Sequence, residues 1–322
     1  MLDRLKIVYG AVQERALLAA LSHVCLYQGR VQATNGRMSI DSALPELPDL
    51  NAIIPADRFL AAIEAAGADA RVEEKDGRVV IAAGRFRARI PALTSGTFPR
   101  SEPDPPDWML EAPLLPTVKR LRPFMADDAT NAWATALLCT ATTATVTNNV
   151  CLLSEPCSML DGTGIKQVAI PGWALDEIIR LNREPEGFGV SESSITFYFG
   201  DVWLKTQLIL SEWPVVKVAE LLKSLPKKMP EVPEGLAQAV DMVMPFCKDP
   251  KFPVILMQED GVATEEFDHQ AEVRGLKLPT MRFNGTMLQL VLSKAERFAA
   301  LGSERAGFTI GPARGVIMGL RG

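Results

Sequence analysis

The chain has 322 residues, of which 48% are apolar and 23% charged, a composition typical of a globular protein with several cores. The net charge of −5 argues against a generic nucleic-acid binder, which carries a basic surplus, but leaves room for a locally basic surface. The sequence contains no run of about 18 uncharged apolar residues and its first residues lack the core of a signal peptide. We therefore expect a cytoplasmic protein.

The first third predicts two helices separated by paired strands. Apolar residues at helical spacing predict a helix from Leu2 to Val12, and turn signals predict paired strands between Leu17 and Ile40. Ile54-Pro55 then starts a second helix, since a proline is tolerated in the first turn. A hairpin around Asp76-Gly77 and a further strand complete this third.

The same order recurs in the second third. A helix is predicted from Leu114 to Leu121, followed by strands from Ala132 to Cys139 and from Thr142 to Thr147. Ile170-Pro171 starts the next helix, as Ile54-Pro55 does in the first third, and three strands follow it. The repeated order and spacing indicate a duplicated unit.

The last third keeps the order with weaker signals. Leu236 to Val243 predicts a helix, Asp260-Gly261 a hairpin, and Phe283-Asn284 the start of another helix. Segments rich in Pro with Asp or Lys, near 101–107 and 223–233, predict linkers. We therefore expect three domains, 1–107, 108–222 and 223–322, each with helices on one face of antiparallel sheets, which is an α+β arrangement.

No pattern in the sequence indicates catalysis or metal binding. The five cysteines are scattered and include no C-x-x-C pair, so we expect reduced, mostly buried thiols. The two histidines, His23 and His269, have no cysteine pair with which to form a zinc site. The chain also lacks G-x-S-x-G and P-loop motifs. We expect no catalytic residue, no metal and no cofactor, although residues distant in sequence can still converge into an active site.

The recurring segments resemble the bacterial-type DNA sliding clamp, the β subunit of DNA polymerase III. The family has a hairpin ending in A-T-D-G, an apolar-Pro helix start and a closing L-x-x-x-x-F-P. The matching segments here are Ala33-Thr34-Asn35-Gly36, Ile54-Pro55, Leu93 with Phe98-Pro99, Thr147-Asn148-Asn149, Ile170-Pro171, Leu208 with Trp213-Pro214, Asp107-Trp108, Lys251-Phe252, Phe283-Asn284 and 318–322. Two departures are Asn149-Val150-Cys151, where the family has G-H-R, and Gly319, where it has proline.

The resemblance implies three tandem clamp domains and a head-to-tail homodimer that closes a ring around double-stranded DNA. Such a ring slides without reading bases and tethers a replicative DNA polymerase, so it raises processivity and is not an enzyme. A clamp-like decoy that binds replication proteins of a host without encircling DNA is the alternative. That alternative predicts a monomer or a mixed ring.

A ring that slides on DNA needs weak, diffuse phosphate contacts from Lys and Arg. We predict these from cations on the predicted helices and from Arg15, which matches a family arginine near the DNA path: Arg4, Lys6, Arg15, Arg58, Lys119, Arg120, Arg122, Arg180, Arg183, Lys294 and Arg297. The alternative interpretation of each is a solvated helix face. The helix Leu236 to Val243 departs from the pattern because its polar face carries Gln238 and Asp241.

The family also binds polymerases and clamp loaders in an apolar pocket that accepts short hydrophobic peptides. The resemblance places this pocket at Thr147, Leu152, Pro214, Phe252, Asn284, Met287, Ile317, Met318, Leu320 and Arg321. Met and Leu suit a pocket that must accept several peptides. Core packing is the alternative for Leu152 and Phe252. The departures at 149–151 and Gly319 predict an altered peptide preference.

Overall fold

A computed structural model describes residues 1–13, 15, 17–93, 98–276 and 278–320. The helices are α1 (Leu2–Tyr9), α2 (Ala56–Ala66), α3 (Leu115–Leu121), α4 (Gly172–Leu181), α5 (Val215–Lys223), α6 (Leu236–Val243) and α7 (Gly285–Leu292). The strands are β1 (His23–Tyr27), β2 (Arg30–Thr34), β3 (Met38–Ala43), β4 (Ala52–Pro55), β5 (Arg71–Lys75), β6 (Arg78–Ala83), β7 (Phe86–Pro91), β8 (Trp108–Met109), β9 (Ala136–Thr140), β10 (Thr143–Thr147), β11 (Cys151–Pro156), β12 (Gln167–Pro171), β13 (Gly187–Val190), β14 (Ser194–Phe199), β15 (Val202–Gln207), β16 (Val254–Gln258), β17 (Gly261–Thr264), β18 (Gln270–Glu272), β19 (Met281–Asn284), β20 (Arg297–Ala300), β21 (Arg305–Ile310) and β22 (Ala313–Met318).

The chain forms two compact units. Unit 1 consists of Met1–Leu115 and Trp173–Ile209, and unit 2 consists of Pro116–Gly172 and Leu210–Gly322. Each unit therefore contains part of the expected middle domain, because β15 pairs with β3 in unit 1 and β22 pairs with β11 in unit 2. The division into three domains stays a prediction.

Unit 1 contains two antiparallel sheets. The larger has the strand order β4-β1-β2-β3-β15-β14-β13-β8, and the smaller has the order β5-β6-β7. The tight hairpins are set by residues with positive φ, Gln28-Gly29 between β1 and β2 and Asp76-Gly77 between β5 and β6, as two-residue turns require. Helix α2 contacts β6 and β7 and buries Phe59.

Unit 2 repeats this design. Its larger antiparallel sheet has the order β12-β9-β10-β11-β22-β21-β20, and its smaller sheet has the order β18-β17-β16-β19. Helices α6 and α7 pack on each other, and α6 also contacts β17. Helix α6 buries Leu236, Val240 and Val243, the apolar positions that predicted it from the sequence.

The recurring strand-to-helix joint is confirmed at all three predicted places. Ile54-Pro55 ends β4 before α2, Ile170-Pro171 ends β12 before α4, and Phe283-Asn284 ends β19 before α7. At the third joint the Asn284 side chain replaces proline: its Oδ1 accepts a hydrogen bond from the Met287 amide at 3.0 Å and caps α7. The α+β class with antiparallel sheets is likewise confirmed.

Two predicted elements need correction, and one helix was missed. Helix α1 ends at Tyr9, with Gly10 as its C-cap, instead of at Val12. Residues 132–135 form a 3-10 turn, and the strand begins only at Ala136, because the turn brings Trp133 beside Trp213. Helix α5 was not predicted, since its segment was assigned to a domain end and linker. Pro214 at its N-cap and Val215, Val218 and Leu221 at helical spacing are the signal that identifies it.

Candidate functional sites: an apolar recess and two sets of cations

Unit 2 contains an apolar recess of about 280 Å³. One wall is formed by the β10–β11 hairpin and the neighbouring strand β22, and the opposite wall by α5. The lining residues are Trp133, Thr147, Asn149, Val150, Cys151, Leu152, Pro214, Lys217, Val218, Leu221, Val316 and Met318. Most of these side chains are apolar, so the recess suits a ligand with hydrophobic groups.

Side-chain hydrogen bonds fix the turn at the edge of this recess. Asn148 Oδ1 accepts from the amides of Val150 at 3.1 Å and Cys151 at 2.7 Å, and the Thr147 hydroxyl donates to the Cys151 carbonyl at 2.7 Å. Asn149 adopts a φ of 69°, a left-handed conformation that asparagine tolerates. The turn is therefore held by hydrogen bonds from the Thr147 and Asn148 side chains to backbone groups a few residues further along the chain.

Helix α5 supplies the opposite wall. Pro214 is its N-cap, and the preceding Trp213 is buried with its ring 5.3 Å from that of Trp133. This contact places Pro214 and the first turns of α5 beside the hairpin. Lys217, Val218 and Leu221 line the recess from α5 and were missed from the sequence because the helix itself was missed.

The predicted peptide-pocket residues separate in the structure. Thr147, Leu152, Pro214 and Met318 come together in the recess. Ile317 is wholly buried opposite Cys151 in the sheet.

The other predicted pocket residues lie elsewhere. Phe252, 70% exposed, lines a separate hollow of about 110 Å³ with Cys247 and Val254. Met287 accepts a hydrogen bond from Asn148, and the Leu320 amide donates to the Arg282 carbonyl. Asn284 serves as the α7 cap described above. Arg321 lies outside the described residues.

Several predicted DNA-binding cations are paired within the protein. Arg4 forms an ion pair with Asp201 at 2.8 Å, and Lys6 forms one with Glu64 at 2.9 Å. Arg122 is paired with Asp127 at 2.6 Å. Such pairs reduce the net positive charge that these side chains present to a phosphate backbone.

Three other predicted cations hold structural elements together. Arg120 contacts both oxygens of the buried Glu155 carboxylate. Arg180 donates to the carbonyls of Lys6 and Ile7 in the last turn of α1, where carbonyls lack helical partners. Arg297 donates to the Met229 carbonyl at 2.8 Å.

The remaining predicted cations are exposed. Arg15, Arg58, Arg183 and Lys294 make no ion pair with any residue that the structure describes, and Lys119 is also exposed. Since a pairing carboxylate does not offset their charge, the first four are the best placed to attract an anionic ligand.

The secondary-structure positions of several cations differ from the prediction. Arg297 lies on strand β20, and Lys294 and Arg183 follow the ends of α7 and α4. Arg122 starts a 3-10 turn after α3, because Pro123 cannot continue the hydrogen bonding of the helix. On α6, Asp241 accepts a hydrogen bond from Gln289 of α7.

Neither a metal site nor a membrane helix is found in the part of the chain that the structure describes. No group of three or more His, Cys, Asp or Glu side chains in that part could hold a metal ion. No helix there is long and apolar enough to cross a membrane.

Several solved structures of bacterial DNA polymerase III β clamps have a similar fold. The Caulobacter crescentus pol III beta matches with a TM-score of 0.81 at 23% identity, covering 100% of this chain and 97% of that one. A Pseudomonas aeruginosa DnaN sliding clamp bound to griselimycin matches with a TM-score of 0.79 at 18% identity, with coverage of 100% and 97%. The Helicobacter pylori beta clamp bound to a DNA ligase peptide matches with a TM-score of 0.78 at 14% identity, with coverage of 99% and 97%.

No family model and no curated protein matches the sequence. The structural likeness nevertheless extends over both units and nearly the full length of each neighbour. The resemblance stated from the sequence motifs is confirmed at the level of fold. The chain has the fold of the bacterial DNA polymerase III β sliding clamps.

Proposed function

We propose that this protein is a DNA sliding clamp, a processivity factor that encircles duplex DNA as a head-to-tail homodimer and tethers a replicative polymerase in the cytoplasm. The observation that carries the proposal is the clamp fold across 99–100% of the chain. The role is topological, because a closed ring that surrounds DNA stays bound without specific contacts. It requires no catalytic residue, metal or cofactor.

Weak contacts to phosphate suit such a ring. Sliding requires that each contact break and re-form easily, so exposed cations are better candidates than cations fixed in buried ion pairs. Five exposed cations fit this requirement: Arg15, Arg58, Lys119, Arg183 and Lys294. We assign the DNA-facing role to this set, and a mainly structural role to Arg120 and Arg180.

We place partner binding in the apolar recess of unit 2. Trp133, Val218, Leu221 and Met318 offer hydrophobic contacts on facing walls, and Met adapts its shape to different anchors. The Helicobacter pylori clamp, which shares the fold, binds a peptide of DNA ligase. Polymerase and clamp loader would dock here through short hydrophobic peptides, one at a time.

Two sheet edges of opposite charge support the head-to-tail dimer. In unit 1, β7 is an edge strand with Arg87 and Arg89 exposed, and Arg85 precedes it. Edge strands offer unpaired backbone groups to another chain. The basic side chains favour an acidic partner edge and disfavour pairing of two β7 strands.

The matching acidic edge lies in unit 2. Strand β18 is an edge strand, and Asp268 and Glu272 are exposed beside and within it. Glu265 and Glu266 of the same segment form ion pairs with Arg282 and Lys248, so Asp268 and Glu272 supply most of its net charge. Nearby, Phe267 is exposed and the exposed Phe246 stacks on His269 with ring centroids 4.3 Å apart. An apolar centre with a charged rim is typical of a protein interface.

Sedimentation equilibrium tests the ring, since two chains are needed to close it. We expect a species of twice 35.1 kDa that dissociates on dilution. Arg87→Glu with Arg89→Glu should yield a monomer, as should Asp268→Arg with Glu272→Arg. Mixing the two double variants should restore dimers, because both interfaces of the mixed dimer then pair an acidic edge with a basic one.

A monomer at every concentration would contradict the clamp proposal and favour the decoy. Dimers that survive both charge reversals would show that pairing does not use these edges. The control is Lys227→Glu with Lys228→Glu, which lowers the net charge by as much as the double change at Arg87 and Arg89 but lies outside both edges. It should remain a dimer.

A further inference from the structure

Unit 1 contains a second recess, of about 400 Å³, with a polar lining. Its lining residues are Thr34, Gly36, Arg37, Met38, Ser39, Pro99, Ser101, Ser191, Ser193, Ser194, Lys205, Thr206 and Gln207. Hydroxyl groups and two cations dominate this set. The recess of unit 2, in contrast, is lined mostly by apolar side chains.

The two recesses occupy the same position in their sheets. In unit 1, Ser39 on β3 pairs with Thr34 on β2 and with Lys205 on β15. In unit 2, Leu152 on β11 pairs with Thr147 on β10 and with Val316 on β22. The order β2-β3-β15 in unit 1 therefore corresponds to the order β10-β11-β22 in unit 2, and the two recesses occupy equivalent positions in repeated units.

The turns at the two edges also match. Asn35 Oδ1 accepts from the amides of Arg37 at 3.0 Å and Met38 at 2.9 Å, as Asn148 does from the equivalent amides in unit 2. The Thr34 hydroxyl donates to the Met38 carbonyl at 2.9 Å, as Thr147 does to its counterpart. The backbone is therefore alike and the chemical difference lies in the side chains.

Four replacements convert the apolar lining into a polar one. The matching turns and strand registers show which residues are equivalent in the two units. Where unit 2 has Val150, Leu152, Val316 and Met318, unit 1 has Arg37, Ser39, Lys205 and Gln207, in that order. Every change adds a hydrogen-bond donor, and two add a positive charge.

Arg37 supplies the uncompensated charge of this recess. Its guanidinium lies 5.4 Å from the ring centre of Trp173, and it makes no ion pair with the residues that the structure describes. The Trp173 indole donates to the Thr206 hydroxyl at 3.1 Å, which fixes the ring that supports the guanidinium. Lys205 is already paired with the buried Asp104 at 3.0 Å, so it contributes donors more than net charge.

The hydroxyls are held by the surrounding structure. Ser39 Oγ contacts the Thr34 hydroxyl at 2.9 Å and the Ser101 hydroxyl at 2.8 Å. The Ser101 backbone is fixed in turn by two hydrogen bonds with the Gln32 side chain, at 2.8 and 2.9 Å. Each of these hydroxyls uses its single proton within this network, so the hydroxyls fix the wall of the recess. The donors left for a ligand are on Arg37, Lys205 and Gln207, and a guanidinium with such neighbours matches an anion with several acceptor oxygens.

We propose that the polar recess of unit 1 binds a phosphoryl group, with Arg37 as its main charge partner. Each phosphoryl oxygen accepts hydrogen bonds, and the guanidinium can donate two in parallel. The site requires neither DNA nor a closed ring, so it stands or falls independently of the clamp proposal.

Isothermal titration of the full chain tests the site. The probes are inorganic phosphate, a blocked tripeptide with a central phosphoserine, and the same peptide with serine or aspartate. We expect saturable binding of both phosphoryl probes, with competition between them. Arg37→Val, which installs the residue type of unit 2, should weaken that binding at least about tenfold by removing a charge-assisted bond.

Arg71→Val is the matched control, because it removes an exposed arginine of unit 1 outside the recess and should leave binding unchanged. Equal affinity for inorganic phosphate and phosphopeptide would identify a small free anion as the ligand, and tighter phosphopeptide binding a phosphorylated partner. Absence of saturable binding, equal binding by Arg37→Val, or equal affinity for the aspartate peptide would overturn the proposal. Thermal unfolding checks that each variant is folded.

Discussion

Arg120 donates to both carboxylate oxygens of Glu155, at 2.7 and 2.6 Å, and so joins α3 to strand β11. The Glu155 side chain is 2% exposed and also accepts a hydrogen bond from the Thr117 hydroxyl. A carboxylate at this depth is tolerated because all of its partners are charged or polar donors. The pair is therefore part of the architecture of unit 2.

Removing the guanidinium leaves a buried carboxylate without its charge partner. We expect Arg120→Ala to lower the free energy of unfolding by roughly 3 kcal/mol, measured by urea denaturation. Lys294→Ala, at an exposed cation, should change it by less than about 0.5 kcal/mol. Equal stability of the two variants would show that the pair has no structural role.

Neutralising the exposed cations should weaken DNA binding without unfolding the protein. We expect Arg58→Ala, Arg183→Ala and Lys294→Ala together to lower the salt dependence of binding, by up to about one unit of log–log slope per lost contact. Fluorescence anisotropy on a short duplex, over a range of salt, measures this slope. A triple control, Lys166→Ala, Lys227→Ala and Lys228→Ala, should keep the wild-type slope. The DNA assignment fails if the two triple variants behave alike.

The recess between the β10–β11 hairpin and α5 should accept hydrophobic ligands. Griselimycin, bound by the Pseudomonas aeruginosa clamp, is a suitable probe. Leu221→Asp puts a charge into the recess and should weaken griselimycin binding at least about tenfold in a calorimetric titration. Phe252→Asp, in the separate hollow, should leave the affinity within about twofold. The reverse ranking would move the site to the hollow around Phe252.

Cys157 should be the most reactive thiol near neutral pH. A hydrogen bond from Cys139 lowers the pKa of Cys157 to about 7, whereas burial raises the pKa of Cys25 to about 11. The thiolate is the reactive form, so its fraction at Cys157 rises through pH 7. We expect the rate of iodoacetamide modification, followed by mass spectrometry, to inflect there. Cys139→Ala should move the inflection upward, and preferential labelling of Cys25 at pH 7 would contradict the assignment.

The sequence predicted the strand-to-helix joints because their signals are local. Pro55 and Pro171 mark helix starts, and Asp76-Gly77 marks a two-residue turn, without reference to distant residues. The hairpin wall of the apolar recess was predicted through the family motif around Thr147. Its other wall was missed, because α5 follows Trp213-Pro214 in a segment that the motif treats as a domain end.

The roles of the cations could not be predicted from their neighbours in sequence. Glu155 lies 35 residues from Arg120, and the carbonyls that bind Arg180 lie 173 and 174 residues away. Pairing across such separations depends on tertiary structure, which composition and periodicity do not encode. The likeness of the two recesses likewise became visible only through strand register.

Retention on circular DNA is the sharpest test of whether a ring surrounds the duplex. After loading onto a nicked circular plasmid, the protein is washed at high salt and separated by gel filtration, before and after the circle is cut once. We expect the protein to stay with the circle and to be lost from the cut molecule, because a ring slides off free ends. Equal retention on both forms would contradict the sliding-clamp proposal.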